Sequence, residues 1–220
     1  MKKLLLFAVG FTFAISTAQS QEVRIGAKAG VNFASIGGDD TGDYDMLTGF
    51  HLGAVVEIPI NEKFAVQPEI MYSSQGASED YNDIPYGGFG TKYESTLTLN
   101  YINVPIMAKY YLIDGLSIEA GPQFGVLVSA KAKGEAIELG GPGEGEAVSF
   151  ENDAKEFYKT LDVGFGIGAG YRLNNGVFFS ARYILGLTDI SEDIEYIGSS
   201  QVDSFSQKNN VIQLSAGYSF

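Results

Sequence analysis

Hydrophobic and polar residues alternate with a period of two along most of the chain, and helical periodicity is hard to find. Strict alternation is typical of a β-strand with one apolar and one polar face. The segment VIQLSAGYSF at 211–220 shows the pattern clearly. The pattern predicts eight strands, at roughly 23–33, 50–60, 63–74, 97–111, 116–131, 160–173, 176–187 and 209–220.

The connections between these strands are alternately long and short. The short ones carry hairpin-turn residues, at Asn61–Glu62, at Ile113–Gly115 and at the Asn pair before Gly176. The long ones cover about 34–49, 75–96, 132–159 and 188–208. Transmembrane β-barrels have short periplasmic turns and long extracellular loops, and an even strand number places both termini in the periplasm. The chain is therefore predicted to be an all-β, eight-stranded antiparallel up-and-down transmembrane β-barrel over 19–220, with four long extracellular loops and periplasmic termini.

The two faces of the predicted strands differ in charge. One face is apolar, as at Val23, Ile25 and Val31 in the first strand and Phe165 and Ile167 in the sixth. The other face carries Arg24, Lys28, Glu57, Glu69, Lys109, Glu119, Asp162, Arg172 and Arg182. A closed barrel satisfies its own backbone hydrogen bonds, so the apolar face can meet lipid while charges fill the lumen.

All of these charged residues except Lys109 make up the predicted lumenal charge network. Eight strands enclose an interior just wide enough for side chains, so we expect a packed, charge-paired lumen rather than a wide pore. The alternative is a soluble barrel or sandwich with its faces reversed. The fourth strand breaks the pattern, because Leu97 and Leu99 have one parity and Ile102 and Val104 the other. This predicts a bulge near Asn100 and Tyr101.

The two ends of the chain indicate export. Lys2 and Lys3 precede the apolar run Leu4–Ile15, and the small residues that follow predict a signal peptide at 1–18, with cleavage after Ser20 as a fallback. The apolar run is shorter than the roughly 20 residues of a spanning helix. The C-terminal aromatic Phe220 resembles the signal read by barrel-insertion machinery. The expected location is the bacterial outer membrane.

The amino-acid composition limits which kinds of molecule the protein is expected to bind. The sequence has no cysteine, so we expect neither disulfides nor a lipidated cysteine. Without Lys2 and Lys3, 12 basic residues stand against 27 acidic ones, a net charge near −15. This excess argues against binding to nucleic acid. The expected partners are outer-membrane lipid and lipopolysaccharide, the insertion machinery during biogenesis, and an extracellular or envelope protein.

Several segments resemble the strand signatures of the PorT-like outer-membrane β-barrel family of Gram-negative bacteria. They are IGAKAGVNFA, FAVQPEIMYSSQGA, LNYINVPIMAKYYL, GLSIEAGPQFGVLVSAK and GVFFSARYILGLTDI. The resemblance covers essentially the whole chain after the signal peptide and implies a small outer-membrane barrel. The shared residues build strands, so the resemblance transfers no catalytic positions.

Candidate chemistry is sparse. The glycines at 164, 166, 168 and 170 share one strand face and precede no helix, so they predict room for bulky neighbours rather than a phosphate loop. His51 is the only histidine and is the best candidate for a general base, although the sequence marks no nucleophile beside it. No catalytic residue and no cofactor are predicted.

The predicted loops hold 20 of the 27 acidic residues, and clustered carboxylates are the ligands that divalent cations prefer. Asp39, Asp43 and Asp45 are the metal candidates, although their spacing misses the EF-hand pattern. We expect a non-enzymatic barrel with a structural or binding role expressed through these acidic loops. The alternatives are a component of an envelope or secretion assembly and a lipid-modifying enzyme that depends on His51.

Overall fold

The computed structural model describes residues 23–38, 44–83, 90–139, 145, 147–192, 194–195, 202–203 and 206–220. The predicted signal peptide and the candidates Asp39 and Asp43 lie outside these residues. Within the described part of the chain, no helix has the length and apolar character needed to cross a membrane.

The described chain is almost entirely β-structure, with one short 3₁₀ helix at Lys155–Phe157. The strands are β1 (Arg24–Gly38), β2 (Tyr44–Pro59), β3 (Phe64–Asp83), β4 (Gly90–Ile113), β5 (Leu116–Leu139), β6 (Ala147–Asp153), β7 (Leu161–Arg172), β8 (Val177–Gly186), β9 (Ile194–Glu195), β10 (Val202–Asp203) and β11 (Gln207–Ser219).

Eight of the strands close into a ring in which every neighbouring pair is antiparallel. The order is β1–β2–β3–β4–β5–β7–β8–β11, and β11 pairs back onto β1 from Gly26↔Ser219 to Gly38↔Gln207. β6 is a ninth strand that pairs with the outer part of β5, and β9 and β10 form a separate two-residue ladder. The predicted eight-stranded antiparallel barrel is confirmed.

One end of the ring carries the short turns and is called the turn end; the opposite end is called the loop end. The turns lie between β2 and β3, β4 and β5, and β7 and β8, as the sequence predicts. In the first turn, the Asn61 side-chain oxygen accepts hydrogen bonds from the Lys63 and Phe64 amides, both at 2.9 Å. In the other two, Gly115 (φ +81°) and Gly176 (φ +90°) adopt the left-handed conformation that favours glycine.

The outside of the ring carries an apolar belt. Its exposed residues include Ile25, Leu52, Ile70, Ile118, Phe124, Phe165, Ile167, Phe179 and Leu214. At the turn end, aromatic rings follow the belt, with Phe64 against Tyr110 at 4.9 Å and Tyr218 against Phe220 at 5.3 Å between ring centres. An apolar band bordered by aromatic residues is the lipid-facing pattern of outer-membrane barrels.

Toward the loop end, the strands run further than the sequence predicts. β3 and β4 stay paired up to Asp83↔Thr91, and β5 pairs with both β4 and β6 over its last residues. Much of the predicted loops at 34–49, 75–96 and 132–159 is therefore strand. Above the belt one face or both meet water, so alternation fades although the backbone ladder continues.

The predicted bulge lies where the sequence places it, but β5 contains the extra residue. Asn100 pairs with Ser129 and Tyr101 with Leu127, so Val128 has no opposite residue in β4. Leu99 and Tyr101 are both fully buried and keep one parity. The pattern in β4 changes because the ring interior itself turns from polar to apolar at this level.

The ring interior has two parts. The turn-end half is polar, with several amides and the predicted charged residues other than Asp162. The loop-end half is an apolar cluster of Ile36, Ala77, Leu99, Tyr101, Leu127, Ala130, Ala154 and Ile190. Polar and apolar side chains therefore occupy successive levels of the same interior.

Candidate functional site

Four buried charged side chains meet in the middle of the ring. Lys28 Nζ lies 2.7 Å from Glu69 Oε2, and Arg182 Nη2 lies 2.8 Å from Glu69 Oε1. Arg182 also contacts Glu119, with Nη2 2.7 Å and Nε 2.8 Å from Oε1. Each of the four side chains is at most 2% exposed. Two positive and two negative charges leave this central cluster neutral.

The central cluster joins walls of the ring that are not neighbours. Lys28 comes from β1, Glu69 from β3, Glu119 from β5 and Arg182 from β8. The missing side chain of Gly166 makes room here, because an added Cβ would lie 2.9 Å from Ile184 Cδ1 and 3.4 Å from Arg182 Cδ. This glycine serves the space-making role that the sequence predicts. The contacts of the central cluster thus span the interior from β1 and β3 to β5 and β8.

A second cluster surrounds Glu57 near the turn end. The Glu57 carboxylate lies 2.8 Å from Arg24 and from Lys109 and 3.2 Å from Arg172. The Tyr111 hydroxyl donates to the same carboxylate at 2.7 Å. Arg24 and Arg172 are still 31% and 24% exposed, so this cluster reaches solvent at the turn end.

Asp162 stands apart from both clusters. It accepts hydrogen bonds from Thr188 Oγ1 at 3.1 Å and Asn209 Nδ2 at 3.1 Å. Among the described residues it forms no ion pair within 4 Å. The eight predicted residues therefore do not form one network. Four form the central cluster, three form a turn-end cluster together with Lys109, and Asp162 is bound only by the uncharged side chains of Thr188 and Asn209.

His51 lies inside the ring, one level nearer the loop end than the central cluster. Its Nδ1 lies 2.7 Å from Asn32 Oδ1, and its Nε2 lies 2.8 Å from Ser215 Oγ. The Asn32 amide donates to Ser73 Oγ at 2.9 Å and to the Ser74 carbonyl at 2.8 Å. Parity already places Asn32 and Ser215 on the charged face, so the sequence contained a signal for both of them.

The order Ser215–His51–Asn32 matches the arrangement of a nucleophile, a base and a residue that orients the base. The sequence analysis marked no serine beside His51, and the structure supplies one. However, Asn32, His51 and Ser215 are 0%, 1% and 8% exposed. The three side chains are therefore shielded from solvent.

The loop end is held together by Asp189. Its carboxylate accepts hydrogen bonds from Lys159 Nζ at 2.9 Å, the Gln207 amide at 2.8 Å and Ser191 Oγ at 2.8 Å. Partial burial raises the pKa of Asp189, but the bonds from Lys159, Gln207 and Ser191 outweigh burial and hold the pKa below its usual range. Asp189 thus ties three chain segments together over the apolar cluster.

A cavity of about 350 Å³ opens at the loop end, directly above the apolar cluster. Its floor includes Ile36, Leu97 and Ala132, and its walls carry Tyr44, Phe157 and Tyr158. Glu79 and Asp153 are the charged residues among its described lining. We call it the loop-end cavity.

Metal binding finds no support in the described residues. Within them, no three His, Cys, Asp or Glu side chains are grouped closely enough to hold an ion. Asp45 is exposed in β2.

Comparison with solved structures finds outer-membrane barrels at low identity. Neisserial surface protein A is 14% identical with a TM-score of 0.48, and the alignment covers 89% of this chain and 97% of that one. Ail of Yersinia pestis is 16% identical with a TM-score of 0.43, covering 90% and 99%. OprG of Pseudomonas aeruginosa is 12% identical with a TM-score of 0.46, covering 92% and 98%.

Sequence comparison identifies the family. No functionally curated protein matches the chain. The family model for the outer membrane protein β-barrel domain matches residues 17–192. This match covers most of the chain and agrees with the closed ring and its apolar belt. The chain belongs to the outer membrane protein β-barrel domain family.

Proposed function

We propose that this outer-membrane barrel is a binding protein, with its turn end in the periplasm and its acidic loop end outside the cell. The observation that carries the proposal is the set of contacts across the interior. The central cluster joins β1, β3, β5 and β8 across the ring, and the apolar cluster lies nearer the loop end. A ligand or partner must therefore be met at an end of the barrel.

The loop end offers the larger surface. β4 and β5 have 24 residues each, whereas a membrane-spanning strand needs about 9–11 residues. At about 3.3 Å per residue, roughly half of each strand extends beyond the belt. A protruding sheet with acidic loops suits a surface protein that binds a partner, and cations near lipopolysaccharide are a natural complement to its charge.

Two alternative functions, as a component of an envelope assembly or as a lipid-modifying enzyme, would give different experimental results. A component of an envelope or secretion assembly, to which the PorT-like resemblance points, would copurify with envelope proteins. A lipid-modifying enzyme would need Ser215 and His51 to reach an ester. The contacts of these two side chains fit such chemistry, but their burial opposes it.

Single cysteines test the proposed orientation, because the natural sequence has none. Ser149→Cys in β6 marks the loop end, and Asp114→Cys marks the turn end; both positions are exposed. On intact cells, a membrane-impermeant maleimide should label the first variant and not the second. After lysis both should react, which controls for expression and accessibility.

The opposite labelling would overturn the proposal. If intact cells label Asp114→Cys and not Ser149→Cys, the loop end faces the periplasm. The acidic surface then cannot serve a partner outside the cell.

A further inference from the structure

The loop-end cavity combines an apolar floor with aromatic walls. Leu97 and Ala132 project from neighbouring strands, where they are cross-strand partners, and Ala77 is the partner of Leu97 on the other side. Tyr44 and Tyr158 pack against the apolar cluster from above. A concave site of this size, mostly apolar with few polar groups, is typical of small-molecule binding.

The charge of the loop-end cavity has one sign. Among the described residues, no Lys, Arg or His lines it, whereas Glu79 and Asp153 do. Asp153 already accepts a hydrogen bond from the Lys155 amide at 2.9 Å. Within the described part of the chain, Glu79 has no Lys or Arg within ion-pair distance. Its carboxylate is therefore available to a cationic ligand.

The neighbouring Lys residues are occupied elsewhere. Lys131 and Lys133 lie 2.8 Å and 3.2 Å from the two oxygens of Glu151, and Lys159 lies 2.9 Å from Asp189. These ion pairs engage the three lysines with carboxylates other than Glu79.

The tyrosines of the cavity present neutral rings. Burial and then the Glu79 carboxylate raise the pKa of Tyr44. Burial and then Tyr44 raise the pKa of Tyr158 to about 12. Both rings therefore stay protonated at neutral pH, and the faces of neutral aromatic rings attract organic cations.

We propose that the loop-end cavity binds a small organic cation, in which an ammonium group beside Glu79 and the aromatic rings is attached to an apolar body on the Leu97–Ala132 floor. The inference deepens the proposed function, because it names a ligand class for the loop end. An anionic ligand would be repelled by the carboxylates of Glu79 and Asp153.

The test uses the full-length barrel in lipid nanodiscs, which avoids detergent in the cavity. Benzyltrimethylammonium is titrated by calorimetry, with benzenesulfonate as the anionic probe of similar shape. The cation should bind saturably and the anion should not. Glu79→Gln should weaken cation binding by about tenfold, the effect of losing one charge contact of about 1.4 kcal/mol.

Glu135→Gln is the matched control. It removes the same charge from the same sheet, but Glu135 lines a different cleft, with Glu94 and Glu151. Its affinity for the cation should stay within about twofold of the natural protein, whereas Tyr44→Leu should weaken binding by about fivefold through loss of an aromatic face.

Two results would overturn the inference: no saturable cation binding, or equal binding by the natural protein and Glu79→Gln. Binding in nanodiscs does not depend on which side of the membrane the loop end faces. A negative titration therefore leaves the cysteine-labelling result intact, and a reversed orientation leaves the titration intact.

Discussion

At the scale of single residues, Arg182 is the centre of the interior. It contacts both Glu69 and Glu119, at 2.8 Å and 2.7 Å, and all three side chains are excluded from solvent. An ion pair of this kind adds little net stability over a well-packed apolar core, yet removing one partner leaves a buried charge without compensation. The stability of the folded barrel should therefore depend strongly on the Arg182 guanidinium.

We expect Arg182→Met to lower the free energy of unfolding by about 3–5 kcal/mol, because two buried carboxylates lose their shared partner. The measurement is the urea or thermal midpoint of the gel-mobility shift in detergent. Lys133→Met is the control, since Lys133 is exposed beside Glu151, and it should change stability by no more than about 0.5 kcal/mol. Equal midpoints for Arg182→Met and the natural protein would refute the role of the cluster.

His51 provides the second residue-scale prediction. If the Ser215–His51–Asn32 chain is structural, a fluorophosphonate probe should not label the folded protein. Ser215→Ala should instead cost about 1–3 kcal/mol of stability, because His51 Nε2 is buried without its partner. Labelling of the natural protein that disappears in Ser215→Ala would establish a reactive serine and reverse this interpretation.

At the scale of elements, the segments at the loop end depend on Asp189. Its hydrogen bonds connect the start of β11 with the segments around Lys159 and Ser191. Backbone bonds run in parallel, from the Ile190 amide to the Gln207 carbonyl at 2.8 Å and from the Lys159 amide to the Ile190 carbonyl at 2.7 Å. The segments over the apolar cluster are therefore held both by the Asp189 carboxylate and by backbone hydrogen bonds.

Asp189 gives a pH prediction with a definite sign. Its folded pKa is depressed, so its stabilising contribution is complete above the unfolded value of about 3.9 and is lost as the pH falls through the folded value. We expect the NMR shift of the Gln207 amide to change with a midpoint below 3.9. Asp189→Asn should remove the transition. A midpoint at or above the ordinary Asp value would contradict the assigned bonds.

The sequence predicts the elements well inside the membrane and poorly above it. In β1 and β7, one face meets lipid and the other meets charges, so alternation marks both strands within a few residues. In β3, β4 and β5, the outer halves have water on one side or both, and nothing in their alternation separates strand from loop. Leu97 and Leu99 were also misleading, because they face an apolar interior that parity alone does not reveal.

The sequence likewise predicts one part of the candidate site and not the other. The interior charges could be found from parity, since Lys28, Glu69 and Arg182 share the face opposite the belt. Their grouping could not, because it depends on the register between strands far apart in sequence. The loop-end cavity was out of reach for the same reason: Tyr44, Glu79 and Tyr158 come from separate segments that only the folded ring brings together.

At the scale of the whole molecule, buried side chains contact one another across the interior of the ring. Charged residues occupy the turn-end half of the interior and apolar residues the loop-end half, which matches the narrow lumen of an eight-stranded ring. The apolar belt faces the lipid, and the part of the sheet that protrudes beyond the belt faces the solvent. The proposed binding role of the loop end rests on these interior contacts and on the protruding sheet.

This arrangement predicts a silent barrel in planar bilayers. Refolded protein, checked for insertion by its gel-mobility shift, should give no steady ionic current above that of the lipid alone. The central cluster would have to separate for ions to pass, at the cost of exposing four charges to a narrow channel. Stable, reproducible conductance steps would show that the interior is open.

The most direct test of the account is heat modifiability of the protein in separated membrane fractions. A closed outer-membrane barrel should migrate faster unboiled than boiled, and the fast form should occur only in the outer-membrane fraction. A single band that boiling does not shift, recovered from the soluble periplasmic fraction, would contradict the account, since the apolar belt would then have to be an interior surface.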